Sequence, residues 1–142
     1  FPATISACSD TARPGQDGTW ISPEMKNAYI RLHELGWAHS VETYSEGELV
    51  GGLYGLAIGR MFYGESMFSR CSNASKIAFA HLARLLDEQQ FGMIDCQMRT
   101  EHLASLGGRE IDREKFLSRL RALTATGEAR SDWRAANSQF IW

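Results

Sequence analysis

Asp95 and Gln97 stand two apart in the run Ile94-Asp95-Cys96-Gln97, inside a stretch over 91–98 whose composition predicts a strand. Residues i and i+2 of a strand share a face, so an acid and an amide are expected side by side with Cys96 turned away. A carboxylate can take a proton from an attacking amine, and an amide can stabilise charge on a carbonyl oxygen. Aminolysis of an ester needs both. The plainer reading is a strand-end Asp that caps a loop beside a Gln that bonds backbone amides. Met67 alternates with a further acid, Glu65, on an earlier predicted strand, while Phe62, Phe79 and Ile94 fall where they could face the same crevice. A thioether among aromatics would make an adaptable apolar pocket, one that penalises a charged guest by desolvation. Plain core is the alternative for these residues.

The elements needed to position such a site are legible from spacing. Ser22-Pro23 joins a capping hydroxyl to a proline at a first helical position, and Met25, Ala28, Tyr29, Leu32 and Leu35 recur at helical spacing until Gly36, predicting a helix over 22–35. Strands are expected over 38–44, 49–58 and 61–68, joined by turns at 45–48 and 59–60 into an antiparallel meander. Gly51, Gly52 and Gly55 in the middle strand signal a bulge or a close backbone approach, as a binding cleft would need. Asn73 is positioned to cap a helix with Ile77, Ala78, Leu82, Leu85 and Leu86 inward, ending near Gln90. After the 91–98 strand and a loop to Gly108, Asp112 is expected to cap a last helix with Phe116, Leu117, Leu120 and Leu123 inward. The order predicts an α+β domain over 1–123 and a polar tail over 124–142, in which Trp133, Phe140, Ile141 and Trp142 have no periodicity.

The chain has 142 residues, 44% of them apolar, which suits one domain with a full core. Its 15 Lys and Arg against 17 Asp and Glu leave a net charge of −2, so no global basic field draws it to nucleic acid or to a membrane. Any nucleic-acid contact must be local. Arg109, Arg113, Lys115, Arg119 and Arg121 gather five of the 15 basic residues within 13 positions, a solvated helix face or a surface for phosphates. Cys8, Cys71 and Cys96 are widely spaced and, like His33, His39, His81 and His102, lack metal-ligand spacing, so reduced thiols and no metal are expected. No apolar run is long enough to span a bilayer, and no export signal is visible, which predicts a cytoplasmic protein.

Six blocks lie in the same order as in a known family: Gly18-Thr19-Trp20-Ile21, His39-Ser40-Val41-Glu42, Gly51-Gly52-Leu53-Tyr54-Gly55, Gly64 through Lys76, Ile94 through Gln97, and Ala104-Ser105-Leu106-Gly107-Gly108. Over about 1–123 the chain resembles the bacterial leucyl/phenylalanyl-tRNA-protein transferases. The resemblance implies the fold of GCN5-related N-acyltransferases, whose third and fourth strands splay to hold the acyl donor. It implies transfer of Leu, Phe or, less readily, Met from aminoacyl-tRNA to the N-terminal Arg or Lys of a protein, which marks that protein for degradation. No cofactor is implied, and a monomer is expected. It assigns catalysis to Asp95 and Gln97, with Glu65 nearby to hold the amine or the basic side chain of the acceptor. It assigns the aminoacyl pocket to Leu53, Phe62, Met67, Ser69, Phe79 and Ile94, and tRNA contacts to Trp20 and Tyr29, which, with Tyr54, could stack on the terminal adenosine. Arg70, Arg113 and Arg119 are expected to meet tRNA phosphates.

Two rival readings remain at this point. Acyl-CoA-dependent members of that fold place a glycine-rich turn where this chain has Arg70 through Ser75, and its glycines are missing, which disfavours an acyl-CoA N-acyltransferase. Ser75 is not expected to be a nucleophile, because no His or acid has suitable spacing. The family carries a further N-terminal domain with no counterpart in this sequence. The second rival is therefore a fragment that binds tRNA or peptide without catalysis.

Overall fold

The computed structural model describes residues 1–11, 18–125, 127 and 133. Its elements are α1 (Pro2–Asp10), α2 (Pro23–Glu34), β1 (Ala38–Ser45), β2 (Glu48–Ile58), β3 (Met61–Ser69), α3 (Ala74–Glu88), β4 (Met93–Asp95), α4 (Glu101–Ser105) and α5 (Arg113–Thr124). The α+β expectation and the meander hold: the sheet runs β1-β2-β3-β4, with the first three strands antiparallel. β4 then pairs parallel to β3, with α3 as the crossover that a parallel pair requires.

Local chemistry explains most boundaries. The Ser22 Oγ accepts the Met25 N–H at 3.3 Å and Pro23 opens α2. Glu46 and Gly47, both at positive φ, make the two-residue β1–β2 turn whose twist suits a hairpin. At the other helix starts the expected caps are not made. Asn73 occupies the position before α3 but is left-handed, with φ 65°, and its side chain caps nothing. The Ser69 Oγ accepts the Ser75 N–H instead, at 3.3 Å. Asp112 precedes α5 without a side-chain cap and contributes only its carbonyl, to the Phe116 N–H.

Helices cover both faces of the sheet, so β2 is buried along most of its length. On one face Ile5, Cys8, Ile21, Tyr29, Tyr54 and Phe68 pack beneath α1 and α2. On the other, Leu53, Ala57, Phe62, Ala78, Leu82 and Leu86 pack beneath α3. Each of the Ile, Leu and Phe side chains among them contributes roughly 1.5–3 kcal/mol by leaving water. The β2 glycines serve these contacts. A Cβ on Gly51 would sit 2.5 Å from that of Ala74, and one on Gly55 would sit 2.6 Å from the Phe62 ring. The close approaches come from the protein's own helix and core.

Three segments differ from expectation. α1 has no clear apolar stripe in sequence, yet it buries Thr4, Ile5, Ala7 and Cys8, and the Thr4 hydroxyl donates to the Glu42 carboxylate at 2.6 Å. α4 forms inside the expected loop, capped by Thr100, whose hydroxyl oxygen accepts the Leu103 N–H at 3.1 Å. β4 has three residues rather than the eight of 91–98, its pairing with β3 ending at Tyr63 and Asp95. α5 ends where the tail was expected to begin, and the Arg60 N–H donates to the Leu123 carbonyl at 2.8 Å. Within the tail, the Trp133 ring stacks on His39 at 4.4 Å and on Phe62 at 5.8 Å. Phe140, Ile141 and Trp142 lie outside the described residues.

Candidate active site

Glu65 owes its place to an irregularity in β3. Tyr54 pairs with Ser66 and Gly55 pairs with Gly64, so Glu65 is an extra residue with no partner on β2. A bulge of this kind re-aims a side chain at the cost of one ladder step. It also breaks the expected alternation of Glu65 with Met67. Met67 packs against the α3-side core, whereas the Glu65 carboxylate meets the hydroxyl of Tyr29, which belongs to the α2-side core.

Asp95 and Gln97 do come together with Glu65, but not as alternate residues of one strand. β4 ends at Asp95, and Gln97 takes a left-handed backbone with φ 65°. The turn is fixed by the Asp95 Oδ1, which accepts the Gln97 N–H at 2.8 Å. That leaves the Gln97 amide free to reach across to β3, where its Nε2 donates to the Glu65 Oε2 at 3.2 Å. Asp95 therefore does the loop-capping of the plainer reading, but the Gln97 side chain joins the second carboxylate rather than the backbone.

The aromatic residues around this group were only partly expected. Trp20 is 44% exposed and meets Tyr29 edge-on at 6.5 Å. Tyr29 is 8% exposed, with its ring also edge-on to Tyr54 at 5.3 Å. Tyr54 is fully buried and cannot stack on a base, so of the three expected rings Trp20 offers the accessible face. Burial, then the charge and hydrogen bond of Glu65, raise the Tyr29 pKa, so its hydroxyl keeps its proton at neutral pH. Tyr63 was not anticipated. It pairs with Asp95 across β3 and β4, and burial and the Asp95 charge raise its pKa too. Its place two residues before Glu65 was the available signal.

The residues expected to form an aminoacyl pocket occupy two depths. Phe62 and Leu53 lie in the α3-side core at 0% and 3% exposure. Met67, Phe79 and Ile94 are half-buried against that core, and Phe79 and Ile94 also line a cavity that Asp95 and Gln97 border. Ser69 is exposed and donates to the Cys71 carbonyl at 2.7 Å. Arg70 donates to the Leu49 carbonyl at 3.1 Å and lies 5.6 Å from the centre of the Phe68 ring. Arg113 and Arg119 are exposed on the far wall of the same cavity.

Cys96 reports on Asp95. Burial and then the Asp95 carboxylate push its thiol pKa up. Because alkylation follows the thiolate fraction, Asp95→Asn should speed iodoacetamide labelling of Cys96 at fixed pH while exposed Cys71 serves as the internal control. An unchanged rate at Cys96 would place the carboxylate too far away to matter.

The arrangement can do acyl transfer: an acid that can accept a proton, an amide donor tethered to a second carboxylate, and an apolar wall beside them. The profile of the Leucyl/phenylalanyl-tRNA protein transferase family matches residues 1–121. Leucyl/phenylalanyl-tRNA--protein transferase of Dechloromonas aromatica is 71% identical over 133 residues, covering 94% of this chain and 57% of the relative. The proteins of that name from Azoarcus sp. and Chromobacterium violaceum are 52% and 63% identical, covering 100% and 85% of this chain but 60% and 52% of their own lengths. The chain thus spans little more than half the length of these relatives. With 1–121 matched end to end, and Glu65, Asp95 and Gln97 inside that span, the chain belongs to the leucyl/phenylalanyl-tRNA protein transferase family.

Proposed function

We propose that this chain carries the transfer centre of an enzyme that moves Leu or Phe, and less readily Met, from a charged tRNA onto the N-terminal Arg or Lys of a protein, tagging it for degradation. One observation carries the reading: Glu65, Gln97 and Asp95 converge from two strands at the point where β3 and β4 stop pairing. Strands that part there, around a crossover helix, are what a GCN5-related acyltransferase fold uses to admit its donor.

In this reading the acceptor's α-amine attacks the aminoacyl ester carbonyl. Asp95 takes the amine's proton, and Gln97 supplies an N–H toward the carbonyl oxygen as charge builds on it. When the new C–N bond has formed, the ester C–O bond breaks, and the ribose hydroxyl of the tRNA leaves with a proton. Half-buried Met67, Phe79 and Ile94 favour an uncharged donor side chain, and exposed Trp20 offers a face to the terminal adenine. An acyl-CoA donor fits less well, because the Ser75 N–H that could meet a pyrophosphate is held by Ser69.

Glu65 then reads positive charge on the acceptor. Glu65→Gln in the full-length protein should slow transfer to Arg-starting peptides while sparing a peptide of the same length that starts with an uncharged residue. Equal losses with both peptides would give the carboxylate a general role in the chemistry instead.

A further inference from the structure

A cavity of about 980 Å³ opens between β4, α4 and α5, at the upper end of the size range of ligand sites. Asp95, Cys96 and Gln97 border it, whereas Trp20, Tyr29 and Glu65 do not. Beyond Phe79 and Ile94, which it shares with the proposed aminoacyl pocket, half-buried Met93, Ile111 and Phe116 give it an apolar lining. Four exposed arginines stand around it: Arg99, Arg109, Arg113 and Arg119. The acids that line it are Asp95 and Glu110, and the Glu110 carboxylate lies 3.9 Å from Arg99. Its charge is therefore positive, although the chain as a whole is at −2.

The reaction proposed above joins two polymers at one carboxylate, and two polymers cannot approach along one path. The side of Trp20, with its exposed ring, suits a nucleotide base. The cavity on the other side has an apolar lining with arginines around it, and suits a polypeptide with apolar and acidic side chains better than a phosphate backbone. A cationic acceptor N-terminus would be repelled by these arginines and drawn on to Glu65. We infer that the cavity is a docking cleft for the acceptor protein, taking acidic and apolar residues that follow its N-terminal Arg or Lys. The inference rests on the proposed reaction for the direction of the chain, but its binding preference can be measured without any transfer.

The test uses the full-length protein and two Arg-starting peptides of equal length. One carries Asp, Glu and Leu after the second residue, and the other carries Ser and Gly. By fluorescence anisotropy without tRNA, the acidic peptide should bind more tightly, and Arg113→Ala/Arg119→Ala should weaken it about fivefold, as expected for two exposed ion pairs. The Ser/Gly peptide should change little, and so should the KM for charged tRNA. Equal binding of the two peptides by the unmodified protein would overturn the inference whether or not transfer occurs. So would a variant that keeps the peptide preference but raises the tRNA KM and flattens its salt dependence, which would give the cleft to RNA phosphates. Because both arginines are exposed, circular dichroism of the variant should match that of the parent protein.

Discussion

Asp95→Asn should lower transfer about 100-fold, the lower end of what removing a positioned general base costs. The substitution is chosen to spare the geometry. An Asn side-chain oxygen can still accept the Gln97 N–H that Asp95 accepts at 2.8 Å, so the turn that brings Gln97 toward Glu65 should survive. Only the capacity to take a proton is lost. Gln97→Ala should act comparably by another route, leaving the carbonyl oxygen without its donor and the Glu65 carboxylate without its tether. Both variants are assayed with Phe-charged tRNA and an Arg-starting peptide, with circular dichroism as the folding control. If both stay within about threefold of the parent, the catalytic assignment fails and Asp95 is a loop cap.

Met67→Asp should abolish transfer of Leu and Phe. Met67 is half-buried against Leu53, Phe62 and their neighbours, and a carboxylate there would have to lose much of its hydration without a cationic partner. Met67→Leu, of similar volume, should cost less than about 1.5 kcal/mol. Since the same side chain supports the α3-side core, melting curves must accompany the rates. A folded Asp variant that transfers Phe at the original rate would show that Met67 is core and that the donor side chain lies elsewhere.

The elements that position this site could be read from periodicity because they obey it. α2 begins at a Ser-Pro pair and ends before Gly36, and the meander follows from alternation and glycine turns. What could not be read follows other rules. α1 is held by burial of small side chains and by the Thr4–Glu42 hydrogen bond, neither of which leaves a stripe in the sequence. The pairing of Asp95 with Gln97 was expected on strand parity, yet strand parity does not apply to a left-handed residue beyond the strand end. The glycines of β2 did signal a bulge, but not which strand would carry the extra residue. At the register shift Gly55 leaves room for the Phe62 ring, a contact between strands that no local pattern records.

The unpaired place of Glu65 separates the acid from the sheet that carries it. Gly51 through Tyr54 pair with Ser69 through Ser66 in one register, and Gly55 through Ile58 pair with Gly64 through Met61 in the next. Removing one residue between Gly64 and Ser66 would merge the two registers into an unbroken ladder and leave every other β3 side chain on its own face. Sheet regularity alone would favour the unbroken ladder, and the extra residue is what lets β3 turn a carboxylate toward Tyr29 and Gln97. In the proposed reading, the acceptor-reading group is an insertion in the scaffold rather than a part of it, so it can be altered with little disturbance to the ladder around it.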